Sequence, residues 1–289
     1  MTLFELVRQT LDKLHASCVF VYGDAATADA QIGARLAYLS QSYGDLHKQG
    51  GPAIQYADPA TRFAYVFRYV ASHGDFVNQI LRLLRAQIQR PVFHAPHAQI
   101  ACLGGGPGSD LIGVLKYLES MPDEPVQELQ CWQLDNEQNW QEAWAGVNAQ
   151  LNAKTRFHSF YMTLDATNRM SWGALSAYFQ ADLFTFSYFI SEIMKFNGNG
   201  AVADFLGHIF KHAKPGALFL FDDNSSGGFV EFFDAACAAA GLARIIGSDG
   251  VRWWPDQSER REELRAYVDR YGQNPKVQAW LSYRVYRKP

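Results

Sequence analysis

A glycine-rich turn between an apolar run and a helical pattern constrains this chain more than any other feature. The apolar run at 100–103, Ile-Ala-Cys-Leu, is long enough for a buried strand. Glycines follow at 104, 105, 106 and 108, and helical spacing resumes over 110–118. Glycine permits a positive φ and a close ligand approach, and a helix N-terminus presents free N–H groups. The stretch therefore predicts the start of a nucleotide-binding βαβ unit, with an ordinary tight turn as the alternative.

Composition narrows the class of protein. Of 289 residues, 48% are hydrophobic and 14% aromatic, which is enough for a sizeable core. The net charge of −3 gives no global basic field, so it disfavours a nucleic-acid substrate without excluding one. The scattered cysteines contain no Cys-x-x-Cys pair, and no histidine, cysteine or acidic set has metal-ligand spacing; we therefore expect no metal site and a reducing, cytoplasmic location. We expect no membrane span and no signal peptide.

The first ninety-odd residues show helical patterns and no strand-like alternation. Amphipathic spacing predicts helices over 2–16 and 24–43, and Gly-Gly-Pro and Asp-Pro steps predict a loop over 44–59. The pattern over 59–90 is also helical, and Gly74 is expected to break it into two helices. We therefore predict a helical N-terminal segment, 1–94, that either caps the active site or covers one side of a sheet.

From residue 95 onward, strands and helices alternate at the pace of a parallel α/β sheet. The predicted strands are 99–103, 128–134, 156–161, 181–188, 217–221, 242–254 and 278–287. The last two flank a helical segment at 256–271 and suit an antiparallel hairpin that closes the sheet edge. The predicted fold class is thus α/β, a doubly wound, mostly parallel seven-stranded sheet with a C-terminal antiparallel hairpin, preceded by the helical segment. The second predicted domain is Rossmann-like and covers 95–289.

Acidic residues follow the predicted strands, where ligands bind in a doubly wound sheet. Asp135 ends the second strand, where it can accept both hydroxyls of a ribose or cap the next helix. Asp165 follows the third strand and can accept from an adenine amine or stabilise a turn. Asp222 and Asp223 end the fifth strand and either contact substrate or cap the following helix.

Five features follow one another along the chain, namely the glycine turn, the acid after the second strand, the Asp after the third, Lys-Pro-Gly-Ala before the fifth and the closing hairpin. With these features in that order, the chain resembles a class I S-adenosylmethionine-dependent methyltransferase. The resemblance covers 95–289 and implies S-adenosylmethionine as cofactor. It implies that the glycine turn contacts the methionine part, that Asp135 and Asn136 hold the ribose and adenine, and that Asp165 and Ala166 meet the adenine edge. Ser187 and Tyr188 would line the methyl-transfer side. The glycines concerned are Gly104, Gly105, Gly106 and Gly108.

The chain departs from that family's pattern at Cys102, where an acid usually precedes the first glycine by two residues. Asp110, just after the turn, is the candidate to contact the cofactor's amino group instead. The form Gly-Gly-Gly-Pro-Gly-Ser-Asp resembles a less common branch that includes eukaryotic ribosomal-RNA uridine N3-methyltransferases. The helix beginning at Arg62 also resembles that branch, which implies that Tyr65 or Tyr69 lies near the cofactor.

The acceptor side is predicted from Ser187-Tyr-Phe-Ile-Ser-Glu-Ile, which lacks the Asn/Asp-Pro-Pro-Tyr signature for exocyclic amines of bases and glutamine. Tyr188, Ser191 and Glu192 are the candidate catalytic residues, with Glu192 either a general base or a surface helix residue. His73 is a candidate to reach the site, against core or surface roles. The acceptor is either a small molecule or RNA. Two other functions stay open: a nicotinamide-dependent oxidoreductase, and a catalytically silent cofactor-binding module.

Overall fold

The computed structural model describes residues 2–44, 54–173 and 176–289. Within them, the sheet has seven strands in the order β3-β2-β1-β4-β5-β7-β6. The first five are mutually parallel, and β7 runs antiparallel between β5 and β6. The predicted fold class, including the C-terminal antiparallel pair, is confirmed. The strands are β1 His97–Leu103, β2 Glu128–Asp135, β3 Arg156–Thr163, β4 Leu183–Ser187, β5 Leu218–Asn224, β6 Ala243–Trp253 and β7 Ala279–Arg287.

Helices cover both faces of the sheet, as its apolar strands require. All five residues of β4 are buried, and its neighbours β1 and β5 are almost entirely buried. One hydrophobic core lies between the sheet and the N-terminal helices, and a second lies between the opposite face and helices that follow β4 and β5. The helices are α1 Leu3–Tyr22, α2 Ala25–Gly44, α3 Pro59–Tyr65, α4 Ala71–Ile88, α5 Ser109–Ser120, α6 Trp140–Asn148, α7 Arg169–Trp172, α8 Ile190–Ile193, α9 Ala201–His212, α10 Phe229–Ala239 and α11 Arg265–Tyr271.

A π-helical turn, Val66–Val70, joins α3 to α4, so the helical path continues from Pro59 to Ile88. The predicted break at Gly74 is wrong, because Gly74 lies inside α4. A Cβ on Gly74 would lie 2.9 Å from the backbone oxygen of Ser109, and one on Gly113 would lie 2.3 Å from the backbone oxygen of Gly74. These two glycines therefore let α4 and α5 cross with their backbones in close contact.

The start of α1 is tied to the C-terminal half of the chain. The backbone N–H groups of Leu3 and Phe4 donate to Glu259 Oε2, at 2.9 and 3.3 Å. Lys116, on α5, donates to Glu259 Oε1 at 2.5 Å and also pairs with Asp75 on α4. The helical segment thus shares buried polar contacts as well as a core with the sheet; its division from the rest at residue 94 stays a prediction. None of the described helices is long and apolar enough to cross a membrane. Most of the predicted loop at 44–59, from 45 to 53, lies outside the described residues.

Candidate functional site

A cavity of about 460 Å³ lies at the carboxyl ends of the parallel strands. It sits where β1 neighbours both β2 and β4, which is the topological switch point of the sheet and the usual ligand position in such folds. Its opposite wall comes from α3 and the segment just before it. Most of the predicted site residues line it, namely Tyr65, Gly104, Gly106, Asp135, Asn136, Asp165, Ala166, Ser187, Tyr188 and Glu192.

The glycine turn forms the floor of the cavity at the end of β1. Gly104 and Gly106 have φ values of +66° and +46°, a region that L side chains rarely adopt. Gly104 donates its N–H to Leu134 O at 2.8 Å, which ties the turn to β2. Gly108, with φ +88°, does not line the cavity; a Cβ there would lie 2.4 Å from a ring carbon of Trp144. Gly105 is also outside the lining, so these two glycines serve the packing of the turn.

Asp135 faces the glycine turn across the cavity floor. Its Oδ2 accepts the N–H of Gly106 at 2.9 Å, and its Oδ1 accepts the N–H of Glu137 at 2.9 Å. Burial raises the pKa of Asp135 to about 7. Because α6 begins at Trp140, Asp135 is not the residue that caps this helix. Each carboxylate oxygen accepts one backbone N–H, which leaves lone pairs for two further donors, as a ribose diol would supply.

Asp165 borders the cavity and also stabilises its own turn. Its Oδ1 accepts from the N–H and the hydroxyl of Thr167, at 2.8 and 2.7 Å. Its backbone carbonyl accepts from Trp172 Nε1 at 3.0 Å, which fixes the turn against α7. Both roles considered for Asp165 are therefore compatible with its position, since Leu164 and Ala166 beside it also line the cavity.

Asp110 lies beneath the turn and not at the cavity wall. It is buried, and it accepts hydrogen bonds from the hydroxyls of Thr185 and Ser109. Burial raises the pKa of Asp110 to about 7. Cys102 is buried as well, with its Sγ 3.8 Å from that of Cys131 on β2. The structure therefore does not bring Asp110 to the position that the resemblance implied for the cofactor's amino group.

Tyr188 occupies a strained position directly after β4. Its φ is +52°, which is unusual for an aromatic residue, and such outliers favour a functional role. The ring of His73 stacks on it with centroids 3.9 Å apart and planes at 9°. The Tyr188 hydroxyl is buried, with no hydrogen-bond partner among the described residues. His73 is behind this ring rather than at the cavity, and burial lowers its pKa well below the ordinary value, so it is neutral at pH 7.

Glu192, on α8, is half-buried and lines the cavity, so it is not an ordinary surface helix residue. Its Oε1 accepts from the hydroxyls of Tyr43 and Tyr56, at 2.9 and 3.0 Å, and these hydroxyls are 2.6 Å apart. Burial is the main cause that raises the pKa of Glu192 above its ordinary value. Sequence reasoning missed both tyrosines, since nothing in their spacing connects them to a residue more than 130 positions later.

Ser191, Asp222 and Asp223 organise the loop behind the cavity instead of lining it. Ser191 donates its N–H to Asp223 Oδ2 at 2.8 Å and its hydroxyl to Tyr188 O at 3.2 Å. Asp222 Oδ2 accepts from the Ser187 hydroxyl at 3.0 Å. All three side chains are buried. Ser191, which was predicted to be catalytic, therefore does not line the cavity. The two aspartates accept hydrogen bonds from the loop that carries Tyr188 and Glu192.

Aromatic side chains from distant parts of the chain meet over Asp135. The ring centroid of Trp140 lies 4.9 Å from that of Tyr56 and 5.1 Å from that of Tyr65. Tyr65 lines the cavity, whereas Tyr69, one turn later, does not. Among the described lining residues, the acidic ones are Asp135, Glu137, Asp165 and Glu192, and Lys195 is the one lysine or arginine. The cavity is thus aromatic and predominantly acidic.

Comparison with known proteins finds solved structures that are similar to this chain in fold. No protein-family model and no curated protein sequence matches the chain. Among solved structures it resembles an O-methyltransferase from Bacillus cereus in complex with SAH (11% identity, 88% of this chain and 91% of that one, TM-score 0.42). It also resembles the O-methyltransferase TomG from Streptomyces achromogenes in complex with SAM (10% identity, 86% of this chain and 89% of that one, TM-score 0.42). A further similar structure is the 4+2 cyclase SpnF (15% identity, 73% of this chain and 81% of that one, TM-score 0.44).

Proposed function

We propose that this protein is an S-adenosylmethionine-dependent methyltransferase. The observation that carries the proposal is Asp135, which faces the glycine turn at the switch point with both oxygens anchored on backbone N–H groups. This leaves acceptor capacity for a ribose at the place where a doubly wound sheet binds nucleosides.

The residues around Asp135 fit the rest of the cofactor. Trp140 and Leu164 offer apolar surface for an adenine beside Asp165, and Asn136 adds polar groups at the same end. A Cβ on Gly106 would be in ordinary van der Waals contact, 3.7 Å from Gly104 O and 3.8 Å from Trp140, so its φ of +46° is what favours glycine there. The Tyr188 hydroxyl, which has no hydrogen-bond partner in the described part of the chain, supplies a buried polar atom that a bound ligand would satisfy.

The cofactor would supply an activated methyl group on a sulfonium, so the protein needs mainly to orient the acceptor and exclude water. Tyr188 and Glu192 are the residues proposed for that side. Tyr188 would orient, because its strained backbone and the His73 stack fix its ring. Glu192 would hold an acceptor proton on its carboxylate, whose raised pKa favours proton uptake.

Calorimetry of the purified chain with S-adenosylmethionine, S-adenosylhomocysteine, NAD and NADP tests the proposal. We expect both S-adenosyl compounds to bind and both nicotinamide cofactors to give no heat. Binding of NAD or NADP but neither S-adenosyl compound would replace the proposal with an oxidoreductase.

A second assay separates an enzyme from a silent module. The protein is incubated with methyl-labelled S-adenosylmethionine and with small-molecule, protein and RNA fractions of a cell extract. We expect label in one fraction; cofactor binding without transfer to any fraction would identify a silent cofactor-binding module.

A further inference from the structure

The carboxylate of Glu192 is held in one orientation within the cavity. Tyr43 and Tyr56 both donate to its Oε1, so neither of these bonds involves Oε2. The two hydroxyls also lie 2.6 Å apart, but because each phenol has a single proton, two tyrosine protons serve the three contacts. Tyrosine donors on one oxygen stabilise the half-buried carboxylate and leave its chemistry that of a hydrogen-bond acceptor.

The walls near this carboxylate are aromatic. Tyr56 and Tyr65 come from the N-terminal segment, and Phe189 and Phe196 from the two ends of the α8 region. Aromatic faces attract cations through the ring quadrupole, most strongly where water is excluded. They also give the carbon skeleton of a small molecule a flat apolar surface.

The charge of the cavity has one predominant sign. Its described lining carries four acidic side chains against Lys195, and the chain as a whole carries a net charge of −3. A concave site lined by one sign of charge concentrates ligands of the opposite sign. Nucleic acids gain most of their protein affinity from phosphate neutralisation by Lys and Arg, and the described lining offers Lys195 alone for that purpose.

We propose that Glu192 and the aromatic wall form a binding subsite for a small organic amine. The amine donates its N–H groups to the Glu192 carboxylate and lays its carbon skeleton on the rings of Tyr56 and Tyr65. The identification of this amine as the methyl acceptor rests on the function proposed above; the subsite itself does not.

Probes that share a shape and differ in charge test the subsite. Phenethylamine, phenethyl alcohol and 3-phenylpropionate are titrated into the full chain by calorimetry, with benzylamine and histamine as further amines. We expect an amine to bind about tenfold or more tightly than the carboxylate, because a charged hydrogen bond is gained in one case and repulsion in the other. Equal or tighter binding of the carboxylate, or no binding of any amine at millimolar concentration, overturns the proposal.

Glu192→Gln provides the matching variant, since it keeps the size and removes the charge. We expect it to lower amine affinity by about tenfold or more and to abolish the preference for amine over carboxylate. Glu137→Gln is the control at the other end of the cavity and should change amine affinity by less than about threefold. Unchanged amine binding in Glu192→Gln overturns the proposal. If that variant does not fold, the probe series on the unmutated chain and on Tyr56→Phe decides.

Titration with S-adenosylhomocysteine on the same samples keeps the two proposals apart. Amine binding without S-adenosylhomocysteine binding would end the methyltransferase proposal and leave the subsite standing, and the reverse result would end only the subsite. A mixed-sequence RNA 20-mer is included as a methyl acceptor. Label in that RNA, with none in the amines, overturns the identification of the amine as the methyl acceptor, while the amine titrations alone decide the subsite.

Discussion

The strand side of the cavity and the helix side differ in how their residues are held. On the strand side, Gly104 and Asp135 are fixed by backbone hydrogen bonds to adjoining strands and turns. On the helix side, Tyr43 and Tyr56 are fixed by each other and by Glu192. The strand side therefore inherits its geometry from the sheet register, whereas the helix side depends on how separate helices dock. A change in docking should disturb the helix side first.

The largest effect is expected at the crossing of α4 and α5, which joins the two sides. In Gly113→Ala the new Cβ would lie 2.3 Å from the backbone oxygen of Gly74, which is too close, so one helix must shift. We expect a loss of about 2–4 kcal/mol in the free energy of unfolding, measured by urea denaturation. Gly207→Ala, on α9 with nothing within 4 Å, is the matched control and should stabilise the protein by up to about 1 kcal/mol. Equal effects of the two changes would contradict a close helix crossing.

Loss of Asp135 should act on the strand side alone. Asp135→Ala removes the carboxylate that faces the glycine turn, and we expect S-adenosylhomocysteine affinity to fall by about tenfold to a hundredfold, as for a lost charged hydrogen bond. Amine affinity at Glu192 should change little. Calorimetry with both ligands measures the difference, and unchanged S-adenosylhomocysteine binding would remove Asp135 from the proposed ribose role.

Asp110, which lies beneath the glycine turn on the strand side, should make the free energy of unfolding depend on pH. Its pKa is raised from 3.8 to about 7, so the native state holds this proton more tightly than the unfolded chain does. The resulting stabilisation is complete below about pH 4 and is lost as the pH rises through 7. We expect Asp110→Asn to flatten the profile by about 1–2 kcal/mol between pH 6 and pH 8, measured by urea unfolding. Parallel profiles for the two proteins would show that Asp110 titrates normally. Asp135 and Asp223, whose pKa values are also raised, remain in both proteins.

The smallest effect is expected from single phenols on the helix side. Tyr43→Phe and Tyr56→Phe each remove one donor to Glu192, and each should lower the free energy of unfolding by about 0.5–1 kcal/mol at pH 7.5. Tyr283→Phe on β7, whose hydroxyl makes no hydrogen bond among the described residues, should have no such effect. If all three variants were equally stable, the two phenols would not be bound to a half-buried carboxylate.

The strand side was largely predictable because the features that form it are local in sequence. A glycine turn after an apolar run and acids after later strands locate Gly104, Asp135 and Asp165 at one sheet edge, since parallel strands end on the same side. The exception was Asp110. Its place in the first turn of α5 leaves it near the cavity in sequence, but the Thr185 hydroxyl on β4 donates to its carboxylate beneath the glycine turn.

On the helix side Tyr65 and Glu192 were predictable, but the contacts that hold this side together were not, for two physical reasons. Tyr43 and Tyr56 contact Glu192 only after separate segments have docked on the sheet, and no periodicity encodes that pairing. The sequence predicts a helix break at Gly74, because glycine weakens an isolated helix, yet its missing side chain is what α5 requires for close approach. Tertiary packing decided both cases.

The π-helical turn at Val66–Val70 has a consequence for changes in chain length. A π-helical turn closes its hydrogen bonds five residues back, so it holds one residue more than an α-helical turn. Removal of one residue would convert it to a continuous α-helix, whereas insertion of one residue would turn α3 by about 100° relative to α4 and carry Tyr65 out of the cavity. The segment should therefore accept a one-residue deletion better than a one-residue insertion, a distinction that a library of single-residue indels would reveal.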